Sequence, residues 1–158
     1  MNPRERILAA LNHQEPDRVP IDLGGSSTTS IAASTYGRLR DYLALPAEEI
    51  AIVDHVQQLA YTSDDLLARL SVDTRVVHVS PGTIRPPDIV DDGDYFAYFD
   101  RWGIKLRMPK EAGYYFDRVE FPIKEASLAG LETYPWPPRI EAPSELRARA
   151  RFLYENTD

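Results

Sequence analysis

Apolar residues at the start of the chain follow the 3.6-residue period of an amphipathic helix. In the stretch NPRERILAALNH, Ile7 and Leu11 lie on one stripe, and Asn2 and Glu5 have the spacing of a capping box. The same apolar period continues over residues 31–44. The pattern therefore predicts a helix in each of these two stretches.

Three short apolar runs predict extended structure: RVPIDL at 18–23, IAIVDHV at 50–56 and SVDTRVVHV at 71–79. The first and third runs predict strands, and the second predicts either a strand or an extended segment. Between the last two, TSDDLLARL predicts a helix in which Thr62 and Asp65 have capping-box spacing. Strands that alternate with helices are typical of a parallel sheet covered by helices, so we expect an α/β fold.

The middle of the chain is rich in aromatic residues. Residues 94–121, DYFAYFDRWGIKLRMPKEAGYYFDRVEF, contain turn signals at DRWG and EAG. This pattern predicts two or three antiparallel strands, which would form a hairpin insert. Packing beneath the insert explains the aromatic cluster, and a lid or a subunit contact is the alternative. A short helix, a proline-rich linker and a final helix from about Pro143 are predicted to follow.

Composition is that of an ordinary globular protein. The 158 residues are 43% hydrophobic and 27% charged, which suits one domain with its own core. The net charge of −7 argues against nonspecific binding to nucleic acid. No cysteine is present, so disulfides and cysteine-type zinc sites are excluded within these residues. The sequence shows neither a signal peptide nor an apolar run of membrane-spanning length, and we expect a cytoplasmic protein without a membrane partner.

Several ordered motifs resemble the uroporphyrinogen decarboxylase superfamily, and together they cover essentially the whole chain. The stretch PRERILAALNHQEPDRVPIDLGG resembles the opening helix and first strand of that family, and DDLLARLSVDTRVV resembles the helix and strand that follow. The segments FDRWGIKLRMP and VEFPIKEASLAGLETYPWPP are similar to the aromatic hairpin and the L-x-x-Y-P-W-P linker of its methyltransferase-like branch.

The resemblance implies a (β/α)8 TIM barrel with the substrate at the carboxyl ends of the strands. A complete barrel takes about 250 residues, so residues 1–158 would be its N-terminal portion, with the hairpin insert at about 94–121. We therefore expect the barrel to be incomplete in this chain, and the chain to be inactive on its own.

Two activities are implied by the resemblance: decarboxylation of uroporphyrinogen, and methyl transfer from a corrinoid to a thiol. The decarboxylases have an R-Q-A-G-R-Y segment after the first strand, where this chain has LGGSSTTSIAAS, so the methyltransferase-like branch is favoured. The methyltransferases bind zinc through a histidine and two cysteines in the later half of the barrel. We expect no cofactor and no metal site in this chain. A full-length relative would use zinc, a corrinoid donor, a corrinoid protein as partner and a small-molecule substrate.

Five residues are candidates for the site. Asp22 lies at the exit of the predicted first strand and is a catalytic candidate, with an Asx turn as the structural alternative. Gly24 and Gly25 would let a substrate approach the backbone, or they form a plain turn. His78 and Ser80 share one face of the third predicted strand, with His78 as the second catalytic candidate and Ser80 as a substrate-binding candidate.

Other assignments from the sequence stay open. Asp54 and His55 are adjacent, but neighbours on an extended segment point in opposite directions, which favours structural roles. A different class of function is a stand-alone α/β interaction module that binds a partner protein through the aromatic hairpin. An incomplete barrel with exposed sheet edges would also self-associate, which predicts a homo-oligomer.

Overall fold

The chain forms two compact units. A computed structural model describes residues 1–77, 86–125, 127–137 and 144–157. The first unit contains the described residues 1–54, 59–77 and 144–157, and the second contains 55–58, 86–125 and 127–137.

The described helices are α1 (Pro3–Leu11), α2 (Ala33–Tyr42), α3 (Asp64–Arg69), α4 (Leu128–Thr133) and α5 (Ser144–Asn156). A short 3-10 turn occupies Ser27–Thr29. Within these described stretches, no helix has the length and apolar character that crossing a membrane requires.

Local sequence signals place most of the helices correctly. The predicted capping box of α1 is confirmed, because the Glu5 amide donates to the Asn2 side chain and the Asn2 amide donates to the Glu5 carboxylate. The predicted capping box of α3 is wrong. Ser63, rather than Thr62, is the N-cap residue, and its hydroxyl bonds to Arg40 and Asp65.

Both sheets are antiparallel. In the first unit, β1 (Ile52–Asp54) pairs with β2 (Leu59–Ala60). In the second unit, β3 (Val90–Asp92), β4 (Tyr95–Phe99), β5 (Lys105–Pro109) and β6 (Asp117–Glu120) form a sheet in chain order. The prediction of antiparallel strands in the aromatic stretch is confirmed.

The predicted α/β barrel portion is wrong. The structure has 33% helix and 16% strand, in two small antiparallel sheets of two and four strands, and not the alternating β/α pattern. Residues 18–23 and 71–77 do not form the predicted strands, and the end of the third predicted strand lies outside the described residues. Pro20 has no amide hydrogen, and the Ile21 amide donates to the Asp73 carboxylate instead of a neighbouring backbone.

Each unit has its own apolar core. In the first unit, Tyr36, Ala60 and Leu66 are buried, and partly buried leucines from the surrounding segments pack against them. In the second unit, Tyr98, Leu106 and Phe116 are buried. The rings of Tyr98 and Phe116 meet edge to face with centroids 4.8 Å apart. This contact packs β4 against the segment that leads into β6.

Candidate functional site

The loop of small polar residues that follows the PDRVPIDL stretch folds back on itself. The Gly24 amide donates to the Thr29 carbonyl at 3.0 Å, and the Thr29 amide donates to the Ser26 carbonyl at 3.2 Å. The Ser30 hydroxyl then donates to the Ala60 carbonyl at 3.1 Å, which ties the end of the loop to β2. These bonds hold residues 24–30 in one conformation beside the small sheet.

This loop forms one wall of a pocket with a volume of about 100 Å³, which we call the loop pocket. The opposite wall comes from β1, β2 and the residues after them. The walls carry Asp54 and several hydroxyl groups, those of Ser26, Ser27, Ser30, Tyr61 and Thr62. The surface that these residues turn to the pocket is mostly apolar, so the loop pocket suits a small molecule that combines an apolar part with one polar group.

Thr62 is the most unusual residue of the loop pocket. Its side chain is 3% exposed, and its Oγ1 atom has no hydrogen-bond partner in the part of the chain that the structure describes. A buried hydroxyl without a partner costs about 1–3 kcal/mol, so most folds supply one. Because Oγ1 has almost no accessible surface and packs against Gly24, a ligand in the loop pocket reaches this hydroxyl only when the wall of the pocket shifts.

Gly24 is required beside Thr62 for two reasons. Its φ of +76° lies in the left-handed region, which favours glycine. A Cβ atom on Gly24 would also lie 2.1 Å from Thr62 Oγ1. Of the two candidate glycines, Gly24 lines the loop pocket, and the sequence prediction of a close approach to the backbone at this position stays a prediction.

The other candidates from the sequence lie elsewhere or outside the described residues. Asp22 is exposed and accepts hydrogen bonds from the Gly25 amide, three residues further along the chain, at 3.1 Å and from the Thr74 hydroxyl, so its carboxylate is used within the fold. A Cβ atom on Gly25 would meet Asp22 Oδ1 at 2.3 Å. Neither Asp22 nor Gly25 is among the residues that line the loop pocket. His78 and Ser80 lie outside the described residues.

A buried ion network fixes the residues that lead into the polar loop. The Asp73 side chain is 0% exposed. It accepts hydrogen bonds from Arg6 at 2.6 Å, Arg18 at 2.7 Å and the Ile21 amide at 2.8 Å. Asp17 bonds to the same Arg6 guanidinium at 2.6 Å. Residues 17–21 are thus fixed against Asp73, and they lead directly into the loop.

The network also sets the ionisation of its acids. Burial alone would raise the pKa of Asp73, but the Ile21 amide and the guanidinium groups of Arg18 and Arg6 hold that pKa below its usual range. Hydrogen bonds from Arg6 and from the N-terminal ammonium hold the pKa of Asp17 well below its usual range. Both carboxylates are therefore charged at neutral pH, and the network is an ion cluster with a structural role.

A second buried network ties α2 to the start of α3. Arg40 is 4% exposed and donates to both carboxylate oxygens of Asp65 at 2.9 Å. The Tyr36 hydroxyl donates to the Glu48 carboxylate, and burial followed by this hydrogen bond raises the pKa of Tyr36. The raised pKa keeps the Tyr36 hydroxyl protonated at neutral pH, so it stays a hydrogen-bond donor in a cluster that joins α2 to the start of α3.

Sequence reasoning missed both Thr62 and Asp73 as residues of interest. The sequence presents Thr62 as a helix cap, and its lack of a partner is visible only in three dimensions. Asp73 has a signal in the sequence, because it is an acid within an apolar run. Its partners lie 55 and 67 residues away along the chain, so spacing does not identify them.

The described side chains do not offer a metal site. Over residues 1–77, 86–125, 127–137 and 144–157, no group of three His, Asp or Glu side chains is placed to hold a metal ion. The resemblance places the zinc ligands of the methyltransferase-like branch in the later half of the barrel, and these described residues supply no such set.

Comparisons of the chain with protein-family models, with curated proteins and with solved structures find no match. The resemblance to the uroporphyrinogen decarboxylase superfamily therefore stays a hypothesis.

Proposed function

We propose that this chain is related to the uroporphyrinogen decarboxylase superfamily, on the side of its corrinoid-dependent methyltransferases, and that it binds a small-molecule substrate. The observation that supports this proposal is the loop pocket with the unpartnered hydroxyl of Thr62, directly after the stretch that carries the resemblance. Its substrate is a small polar molecule, its methyl donor is carried by a corrinoid protein, and its compartment is the cytoplasm.

The size and charge of the loop pocket favour methyl transfer over porphyrin decarboxylation. A volume of about 100 Å³ holds only about three water molecules, far less than a tetrapyrrole needs. The described residues that line it include no basic side chain, whereas a polycarboxylate substrate requires basic groups. A neutral small molecule is the better complement.

The experiment that tests this site compares binding by wild type and Thr62→Val. Ligand-observed NMR with ethanol, 2-mercaptoethanol and acetate measures which small group enters the loop pocket. We expect the alcohol and the thiol to bind wild type, acetate to bind more weakly, and Thr62→Val to lose the binding, because valine has the shape of threonine without the hydroxyl.

The matched control is Thr133→Val, which makes the same replacement in α4, outside the loop pocket. It should bind as wild type does. Equal binding by wild type and Thr62→Val, or a preference for acetate, would contradict the proposed site.

A second experiment concerns the reaction. Mixed with methylcobalamin and 2-mercaptoethanol, the chain alone should leave the absorbance of methylcobalamin unchanged over the uncatalysed background. This follows because the described residues hold no zinc ligand set. Methyl transfer by the chain alone would show that its own residues suffice, and the expectation that the chain is inactive on its own would then be wrong.

A specific observation favours a second function, an interaction module. The second unit exposes several large aromatic side chains, with Tyr114 at 77%, Phe99 at 63% and Tyr115 at 56%. Exposed aromatic residues are enriched at protein interfaces. Light scattering and thermal unfolding test this function: a monodisperse monomer that melts cooperatively supports a stand-alone module, and aggregation or a melt without a cooperative transition opposes it.

A further inference from the structure

Three aromatic rings of the second unit line a cleft, and one of them, that of Trp136, stands almost perpendicular to the other two. The rings of Trp102 and Trp136 meet at 84° with centroids 6.3 Å apart, and those of Tyr134 and Trp136 meet at 85° with centroids 4.8 Å apart. With Ile104, Phe121, Pro122 and Ile123 they enclose about 280 Å³, which we call the aromatic cleft.

Internal hydrogen bonds hold these rings in place. The Tyr134 hydroxyl donates to the Trp102 carbonyl, and Trp136 Nε1 donates to the Leu131 carbonyl at 3.0 Å. The Trp102 amide donates to the Asp100 carboxylate at 2.8 Å, which fixes the turn between β4 and β5. The cleft is therefore organised before any ligand arrives, and binding does not have to immobilise its walls.

The same hydrogen bonds exclude one kind of occupant. Grooves that recognise proline-rich peptides present aromatic rings together with free donors for peptide carbonyls. Here the donor groups of Tyr134 and Trp136 are used within the unit. The cleft thus offers ring faces and apolar atoms, and a ligand that enters it must not need hydrogen bonds from these two rings.

The charged residues around the aromatic cleft and the net charge of the chain favour a cationic ligand. The Arg101 guanidinium lies 5.2 Å from the centroid of the Trp102 ring, so the chain itself places a cation on this ring, and a ligand must use the ring surfaces that Arg101 leaves open. Residues 117–137, which supply most of the walls, contain four acidic side chains and two basic ones, Asp117, Glu120, Glu125 and Glu132 against Arg118 and Lys124. The whole chain carries a net charge of −7, which also attracts cations.

We infer that the aromatic cleft binds the quaternary ammonium group of a small molecule. Such a group is a cation with an apolar surface and no hydrogen-bond donor, and perpendicular aromatic rings are the arrangement that recognises it. A primary ammonium group keeps its hydration, because the rings give it no acceptor for its three donors. This site belongs to the second unit and is independent of the loop pocket.

Tryptophan fluorescence tests the inference directly, because the chain has only two tryptophans and both line the cleft. Titration with choline should change the fluorescence and saturate. The neutral molecule of the same shape, 3,3-dimethylbutan-1-ol, should bind about tenfold more weakly, since it lacks the charge that the rings attract. Ethanolamine, with a primary ammonium group, should also bind more weakly. Equal affinity for choline and its neutral analogue, or no saturable change with choline, would overturn the inference.

Single substitutions test whether choline binds in the aromatic cleft. By NMR of the choline methyl groups, Trp102→Leu should weaken binding about tenfold, and Trp102→Phe, which keeps a smaller ring, should weaken it less. The control Tyr114→Leu replaces an exposed aromatic residue outside the cleft and should bind as wild type does. If circular dichroism shows that Trp102→Leu is unfolded, the affinity of the Trp102→Phe variant for choline is used to test the site. Binding by Trp102→Phe as tight as wild type would then contradict the assignment.

Discussion

At the scale of single residues, Asp73 makes the hydrogen bonds and ion pairs that hold the segment before the polar loop in the first unit. Its side chain is fully buried and accepts hydrogen bonds from two arginines and a backbone amide. Removing one member of a buried ion cluster leaves the other charges without compensation. The cost is therefore larger than the net contribution of the cluster itself.

We accordingly predict that Asp73→Asn lowers the free energy of unfolding by about 3 kcal/mol, because Arg18 loses its carboxylate partner and Arg6 keeps only Asp17. Urea denaturation followed by circular dichroism measures this change. The control Asp88→Asn neutralises an acid of the second unit that takes part in no ion pair found among the described residues. Equal midpoints for the two variants would refute a structural role for the network.

Gly24 gives a second prediction at this scale. Gly24→Ala should destabilise the protein more than Gly93→Ala, although both glycines have positive φ, +76° and +67°. At Gly93 nothing lies within 4 Å of the added Cβ atom, so only the left-handed backbone is penalised, by about 1–2 kcal/mol. At Gly24 the contact with Thr62 Oγ1 adds to this penalty. Thermal unfolding of both variants compares the two effects, and a smaller loss at Gly24 would contradict the contact.

The sequence identifies Gly24 but not the residue that makes it necessary. A glycine after an apolar run is a local signal for an unusual turn. The contact with Thr62 connects positions 38 apart in the sequence, and the sequence pattern around Thr62 predicts a helix cap that the structure assigns to Ser63. Local rules describe a residue by its neighbours in the chain, whereas the loop pocket is built from distant ones.

At the scale of elements, the turn between β4 and β5 determines where Trp102 lies. The Asp100 carboxylate accepts hydrogen bonds from the amides of Trp102 at 2.8 Å and Ile104 at 3.0 Å. Gly103 completes the turn with a φ of +68°. The aromatic cleft therefore depends on one carboxylate at the tip of a hairpin.

We predict that Asp100→Ala lowers the stability of the protein by about 1–2 kcal/mol and shifts the tryptophan emission, because two amides lose a charged acceptor. Asp94→Ala is the matched control, since it removes a turn acid for which the described residues show no side-chain hydrogen bond. Denaturant unfolding monitored by fluorescence reports both effects at once. An Asp100→Ala protein with the emission and midpoint of wild type would show that the carboxylate does not fix the turn.

Helices and hairpins were predictable because their signals are local. The capping box of α1 and the turn residues between β4 and β5 lie within a few positions of the element they shape. The strand predicted at 18–23 could not be confirmed by local signals, because a strand forms only when a second strand supplies its backbone hydrogen bonds. Its only described backbone bond to residues 71–77 is from the Asp73 amide to the Ile21 carbonyl at 2.9 Å. The Ile21 amide bonds to the Asp73 carboxylate and not to the backbone of a neighbouring strand.

At the scale of the whole molecule, the described strands pair with their neighbours in sequence. β1 pairs with β2, and β3 to β6 pair in chain order, so all of these pairings are antiparallel. A barrel needs parallel pairing between strands that a helix separates. The sequence pattern of alternating strands and helices predicts the order of elements and not their partners, which is why the predicted barrel portion was wrong.

Both units contain carboxylates whose pKa is lowered by cationic partners, and this predicts how stability depends on pH. Hydrogen bonds from Arg107 and Lys105 lower the pKa of Asp92 to about 2, and hydrogen bonds from Arg40 and Ser63 hold the pKa of Asp65 well below its usual range. In the unfolded chain an aspartate has a pKa of about 3.9. Between these values the unfolded state binds more protons than the folded state, so acid favours unfolding.

We therefore predict that the urea midpoint falls as the pH is lowered from 6 to 3, with most of the loss below about pH 4, where unfolded aspartates become protonated. Asp73→Asn should begin from a lower midpoint at pH 6 and lose less on acidification, because one carboxylate with a lowered pKa has been removed. Urea denaturation of both proteins at four pH values gives the two slopes. A wild-type midpoint that is constant or rises towards pH 3 would mean that these ion pairs do not stabilise the folded state, and parallel slopes would exclude Asp73 as a source of the acid sensitivity.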